Sequence, residues 1–241
     1  MVTMRYLALL GGEESASPAP GTPEFDTMMQ GYMRFGETAA DAIVGGEALQ
    51  EAATATTIRH GDAEPLVTAG PYAETVEALG GLYVLEADTL DDAVELARQI
   101  PAALDGWVSL RPMVEWFDKG SQAGGTAEAP RYVAFIYGKE SDGDQPDTPA
   151  WDEGLAAHQR FMDAVGDAVQ AGGAVHPIAT ATTVQVRDGD VIVSDGPFAE
   201  SAEVVGGFYV LRASDPDAAV AVARQIPAEA IELRPIMEVG G

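Results

Sequence analysis

Gly80-Gly-Leu-Tyr-Val-Leu85 returns 126 residues further on as Gly206-Gly-Phe-Tyr-Val-Leu211. Working outward at the same offset, Gly70-Pro-Tyr-Ala-Glu74 meets Gly196-Pro-Phe-Ala-Glu200, and Thr54-Ala-Thr-Thr57 meets Thr180-Ala-Thr-Thr183. Downstream, Ala97-Arg-Gln-Ile-Pro-Ala102 meets Ala223-Arg-Gln-Ile-Pro-Ala228; upstream, Thr22-Pro23 meets Thr148-Pro149 and Arg5-Tyr6 meets Arg131-Tyr132. Between positions 54 and 102, 26 of 49 residues are identical without a gap. That is too many for two segments that only share secondary structure. After a three-residue deletion, Leu110-Arg-Pro112 meets Leu233-Arg-Pro235. A period this long marks duplicated domains and not a solenoid, whose repeats run to roughly 20–50 residues. The expected organisation is copy one at 1–117, a linker at 118–130, and copy two at 131–241. The join DKGSQAGGTAEAP, from Asp118 to Pro130, has the Gly, Ser and Ala content of a flexible linker.

Each copy reads as strand, helix, strands, helix, strand. Residues 4–10 and 131–137 are apolar runs of strand length. The first helix starts after each Thr-Pro pair, where threonine caps free N–H groups and proline suits the first helical turn. The second starts after Thr89 or Asp215 and stops before Pro101 or Pro227. Between the helices, strands are expected around Ala52 to Arg59, Leu66 to Thr68 and Leu82 to Ala87, with equivalents in copy two. The order βαββ(β)αβ predicts an α+β fold of two tandem ferredoxin-like repeats with antiparallel sheets. In Tyr132 to Tyr137 and Leu82 to Leu85 both alternating faces are apolar, so both sheet faces need cover. Helices cover one face, and the second copy's sheet is the expected cover for the other.

The net charge is −26, from 39 acidic residues against 13 basic ones. Direct nucleic-acid binding is not expected, because affinity for phosphate rests on clustered positive charge. Solvated surface is the plain reading of the acidity. The absence of cysteine removes disulfides, thiolate metal sites and a cysteine nucleophile. No run of eighteen apolar residues and no leader-like N-terminus is present, so a cytoplasmic protein that does not enter membranes is expected. The glycine pairs form no GxGxxG and no P-loop occurs. His60, His158 and His176 align with Val186, Tyr32 and Gln50, so no histidine repeats, and no cofactor or metal is expected.

Asp195-Gly-Pro-Phe-Ala-Glu200, preceded by Thr180-Ala-Thr-Thr-Val184 and followed by Gly206-Gly-Phe-Tyr209, resembles the DGPF signature of YCII-related proteins. The resemblance extends over nearly all of each copy. It implies the dimeric α/β-barrel fold, here fused into one chain as an intramolecular pseudo-dimer, with further oligomerisation left open. Related barrels include isomerases, a dehydrochlorinase-like activity and monooxygenases, and some DGPF members are associated with alternative sigma factors. Simple YCII-like members are thought to pair a helix histidine with an aspartate just before the glycine that ends the helix. In this chain Ala171 precedes the glycine read as that position, Gly172.

The candidate catalytic residues are His158 and Asp195. His158 falls on the apolar stripe of its helix among Leu155, Phe161, Met162, Val165 and Val169; it reads either as a satisfied core histidine or as an acid/base group. Asp195 reads as a carboxylate replacing the missing aspartate, or as a plain Asp-Gly-Pro turn; copy one has Ala69 there. Candidate ligand-binding residues are Tyr32, Thr56, Thr182 and Phe198. The Thr54–Thr57 and Thr180–Thr183 segments read as strand, with Thr54 and Thr56 on one face and Thr57 on the other. Glu74 and Glu200 are candidates to tie their loops to Arg111 or Arg234. The expected function is a small-molecule-binding or regulatory protein. The alternative is a cofactor-independent enzyme of isomerase, lyase or dehydrochlorinase type with His158 as acid/base.

Overall fold

The computed structural model describes residues 3–61, 64–73, 77–120, 129–139, 146, 148–198 and 204–237. Copy one runs β1 (Met4–Glu13), α1 (Pro23–Thr38), β2 (Ile43–Ala48), β3 (Thr56–Arg59), β4 (Leu66–Ala69), β5 (Glu77–Ala87), α2 (Leu90–Ala97), α3 (Ala102–Asp105) and β6 (Trp107–Asp118). Copy two runs β7 (Arg131–Gly138), α4 (Pro149–Val165), β8 (Val169–Val175), β9 (Thr182–Arg187), β10 (Asp190–Asp195), β11 (Val204–Arg212), α5 (Pro216–Ala223) and β12 (Ala230–Pro235). The helix starts follow from the capping residues. Thr22 and Thr148 accept from the N–H of Phe25 and Trp151, and Thr89 and Asp215 accept from that of Asp92 and Ala218.

The chain divides into two compact units that are cut differently from the sequence copies. Unit 1 is Met1–Ala48, Thr75–Met113 and Ile178–Glu200; unit 2 is Leu49–Glu74, Val114–Pro177 and Ser201–Gly241. In unit 1 the antiparallel strand order is β2-β5-β1-β6-β9-β10, and in unit 2 it is β8-β11-β7-β12-β3-β4. Each unit therefore borrows its outer hairpin from the other copy. The β9–β10 hairpin of copy two pairs with β6 of copy one (Val108↔Val184), and the β3–β4 hairpin of copy one pairs with β12 (Ile231↔Ile58). Val184 and Ile58 are wholly buried in these borrowed positions.

Within unit 1, Tyr6, Ala8, Leu85, Val108, Leu110 and Val184 pack under the helices against Phe35, Ala93, Ala97 and Ile100. In unit 2, Tyr132, Ala134, Tyr209, Leu211, Ile58 and Ile231 pack against Phe161, Ala219 and Ala223. The alternate residues, Leu7, Leu82 and Val84 in one unit and Val133, Phe135 and Phe208 in the other, are buried as well. Both faces of each sheet are covered, as the two-sided apolar pattern requires.

Three local expectations need correction. Ile43–Ala48 and Val169–Val175 form strands that the apolar pattern does not announce, because each carries a glycine pair. Those glycines have a long-range cause: a Cβ on Gly46 would stand 2.6 Å from the Tyr83 ring, and one on Gly172 would stand 2.5 Å from the Tyr209 ring. Second, α4 ends at Val165, so Gly172 lies inside β8 and does not close the helix. Third, Thr54 closes a 3-10 turn (Ala52–Thr54) ahead of β3, with its hydroxyl donating to the Glu51 carbonyl; it shares no strand with Thr56.

One pair of positions is reciprocal between the units. On adjacent strands of unit 1, Gly11 faces Trp107, and a Cβ on Gly11 would clash with the indole. In unit 2 the corresponding pair is Tyr137 facing Ala230. Each sheet holds one large ring and one small residue at this point, supplied by opposite strands. Close packing allows a single ring there, from either side.

Candidate functional site

His158 sits half-buried on α4 of unit 2, and its Nδ1 lies 3.0 Å from the hydroxyl oxygen of Tyr209 on β11. Gly172, the cross-strand partner of Tyr209, leaves the room that the phenol ring fills. Phe161, one turn along α4, packs on the same ring at 5.2 Å between centroids, and Phe117 approaches from β6 at 6.4 Å. Sequence reasoning misses Tyr209 as a site residue, because within the repeated Gly-Gly-x-Tyr-Val-Leu motif it reads as ordinary strand. Its presence in both copies is the signal that could have found it.

Burial lowers the His158 pKa from its ordinary value of 6.5 and raises that of Tyr209, which the charge of Glu115 raises further. At neutral pH both groups are uncharged. If the phenol donates to Nδ1, the imidazole carries its proton on Nε2 and offers an N–H to whatever binds there. The opposite tautomer offers a lone pair instead. His158 has no further hydrogen bond among the described residues.

In unit 1 the same architecture carries different chemistry. Tyr32 stands in the place of His158, Tyr83 in that of Tyr209 and Phe35 in that of Phe161, with Phe35 edge-on to Tyr83 at 5.3 Å. Desolvation by burial, with a lesser contribution from Tyr83, pushes the Tyr32 pKa up to about 12. Tyr32 is thus a phenol that does not titrate in the physiological range.

The sign of a pH effect follows from the lowered His158 pKa. As pH falls, the unfolded chain takes up the proton first, so the His158 contribution is intact above 6.5 and is lost as pH drops below it. The natural protein is therefore expected to lose more stability than His158→Gln between about pH 7 and about pH 5, read as urea midpoints at each pH. Parallel midpoint shifts in the two proteins would show that His158 does not titrate abnormally.

The other expected site residues fall elsewhere. Asp195 is exposed at the end of β10 in unit 1, opposite Thr182, and the following Gly196 has φ +91°, a left-handed turn that favours glycine. Thr182 is buried, and Thr56 is half-buried opposite Leu233. The threonines that hold the loops are their neighbours: Thr57 and Thr183 donate to the carbonyls of Gly70 and Gly196, each at 2.8 Å. Phe198 stacks on Trp107 in unit 1. Tyr72, its counterpart in unit 2, stacks on Tyr137. His158 belongs to unit 2, whereas Tyr32, Asp195, Thr182 and Phe198 belong to unit 1.

A second polar group in unit 2 is deeply buried. Arg234 Nη1 donates to Glu232 Oε1 at 3.2 Å, its Nη2 bonds the Gln50 carbonyl, and Glu232 Oε2 accepts from the Tyr72 N–H at 2.8 Å. The loop carrying Tyr72 is thereby tied to β12 through Glu232. Glu74 and Glu200, expected to make such ties, lie outside the described residues. Unit 1 places Arg111 and Ser109 at the corresponding positions, both buried.

Among the described residues no three histidine, aspartate or glutamate side chains converge as metal ligands, and no helix is long and apolar enough to cross a membrane. Comparison with known proteins supplies relatives. A protein of Rhizobium meliloti (strain 1021) with no characterised role is 31% identical over 114 residues, spanning 46% of this chain and 92% of that one. Among solved structures, a protein provisionally assigned as a chlorite dismutase aligns at TM-score 0.46 and 8% identity, over 98% of this chain and 96% of the other. One described as a heme-binding protein from Thermus thermophilus aligns at 0.41 and 8%, over 98% and 93%. Likenesses that distant say nothing of what this chain binds. The model of the YCII-related domain matches residues 4–117 and again 131–239, so the chain belongs to the YCII-related family and carries its domain twice in tandem.

Proposed function

We propose that the protein binds a small organic molecule at the His158–Tyr209 pair of unit 2, and that this binding is regulatory in nature. The observation behind it is the 3.0 Å hydrogen bond between the Tyr209 hydroxyl and Nδ1, which orients the ring and leaves Nε2 without a partner among the described residues. An oriented, uncharged imidazole on a phenol that Phe161 and Phe117 pack against suits a ligand with one polar group on a hydrophobic body. A regulatory role accords with the alternative-sigma-factor association that the DGPF resemblance implies.

A second reading, cofactor-independent acid/base catalysis, draws on the lowered His158 pKa, which keeps the ring in its proton-accepting form. Against it, the hydrogen-bond partner of His158 is a phenol and no carboxylate orients the ring among the described residues. The test is a fragment screen by calorimetry and ligand-observed NMR on the natural protein, His158→Gln, Tyr209→Phe and Tyr32→Phe, each checked for folding. Binding is expected to weaken roughly tenfold in the first two variants and to persist in the third. Loss in Tyr32→Phe with unchanged binding in His158→Gln would sink the proposal, and turnover of a bound fragment would favour the enzyme.

A further inference from the structure

The two loops of the repeated Gly-Pro-aromatic motif each set a ring on a second ring, and one of the two stacks carries a cation on its outer face. In unit 2, Tyr72 lies on Tyr137 with centroids 4.3 Å apart and planes at 15°. The Arg59 guanidinium carbon stands 4.2 Å over the Tyr72 ring, and Nη2 donates to the Tyr72 carbonyl at 3.0 Å. The result is three layers: guanidinium, ring, ring.

In unit 1, Phe198 lies on Trp107 at 5.2 Å with planes at 7°. Gln185 stands in the place of Arg59 and donates to the Gly106 carbonyl at 3.2 Å. Arg187, two residues on, is engaged with the carbonyls of Ala103, Leu104, Val186 and Gly106. Phe198 remains 36% exposed although one of its faces is against the indole. Among the described residues no cation stacks on its other face, the one that Arg59 covers on Tyr72.

The surroundings suit a cation. Asp195, three residues before Phe198, is exposed. The Glu77 carboxylate accepts the Trp107 indole N–H at 3.3 Å, and the chain as a whole carries −26. A ring backed by an indole is an electron-rich platform for a cation above it. A planar guanidinium stacks there and reaches a loop carbonyl with its N–H fork, as Arg59 does; a round ammonium does not stack.

We propose that the outer face of Phe198 in unit 1 is a binding site for an external guanidinium group, carried by a free small molecule or by an arginine side chain of a polypeptide. The site is separate from the His158–Tyr209 pair. Unit 2 holds the same arrangement already filled from within the chain.

The experiment titrates the full-length protein with arginine ethyl ester, lysine ethyl ester and acetyl-Gly-Arg-Gly-amide, read by calorimetry and Trp fluorescence. One site per chain is expected, with arginine ester at least about fivefold tighter than lysine ester and Phe198→Ala weakening it by a similar factor. Gln185→Arg supplies the cation internally and is expected to abolish binding. Arg59→Gln is expected to open the Tyr72 stack and raise the stoichiometry from one site to two. Tighter binding of the peptide than of the ester assigns a polypeptide source, and equal binding assigns a free small molecule. No measurable binding of either arginine probe, or binding that Gln185→Arg and Phe198→Ala leave unchanged, overturns the site. Equal affinity for the lysine and arginine esters overturns it too, since that is attraction to an acidic surface alone.

Discussion

A chain cut to residues 1–117 is expected to yield no folded monomer. That fragment contains β1 to β6 but not the β9–β10 hairpin, whose β9 lies beside β6 in unit 1, and not β12, against which its own β3 pairs in unit 2. Val184 would be missing from the core of unit 1, and Ile58 would lose its cover; each such side chain contributes about 1.5–3 kcal/mol when buried. A domain of this size is stable by only about 5–15 kcal/mol in total, and the truncation also leaves the edges of β6 and β3 unpaired. Two fragments can repair both defects by lending each other their hairpins, which restores the pairing of the full chain. Light scattering after size exclusion should therefore find dimer or aggregate and no folded monomer, with helical signal lost where dilution dissociates the dimer. A fragment that stays monomeric and unfolds cooperatively would show that the borrowed hairpin is dispensable.

The parts of this structure that are legible in the sequence are those with local causes. Thr22, Thr89, Thr148 and Asp215 cap helices where they stand, and the apolar residues on both faces of β1 and β7 describe strands covered on both sides. What escapes has causes far away along the chain. Gly46 and Gly172 weaken the strand signal of β2 and β8, and they are glycines because the rings of Tyr83 and Tyr209 lie against them. The exchange of hairpins leaves no local trace, since β3 and β9 would show the same residues whichever copy they paired with. For the site, His158 is visible as a histidine on an apolar stripe, but its partner Tyr209 hides within a motif that also reads as ordinary strand. The cover of Arg59 on Tyr72, and its lack on Phe198, becomes visible only when the aligned pair Arg59 and Gln185 is set beside the stacking geometry.

Glu232→Ala is expected to destabilise the protein by about 3–5 kcal/mol, a large effect for one side chain. The pair it breaks is almost fully enclosed: the Arg234 and Glu232 side chains are 1% and 5% exposed. Truncating the glutamate leaves the guanidinium charged and buried with Nη1 unpaired, and it strips the acceptor from the Tyr72 N–H. Both losses act in one direction, and the larger is the guanidinium, which is enclosed and cannot recover water. Removing the charge along with its partner should relieve most of this, so Glu232→Ala combined with Arg234→Met is expected to be more stable than Glu232→Ala alone. The comparison within the same molecule is Arg5–Glu86, also an arginine–carboxylate contact at 2.8 Å but with side chains 46% and 29% exposed. Glu86→Ala should change stability by less than about 1 kcal/mol, because water screens that pair before and after the change. Urea unfolding of the four proteins measures all three differences against the natural chain. If Glu232→Ala falls within about 1 kcal/mol of the natural protein, or if adding Arg234→Met makes matters worse, the buried charge is not what makes this position costly. If Glu232→Ala is costly and adding Arg234→Met does not relieve it, the cost lies in the lost tie from Glu232 to the Tyr72 N–H.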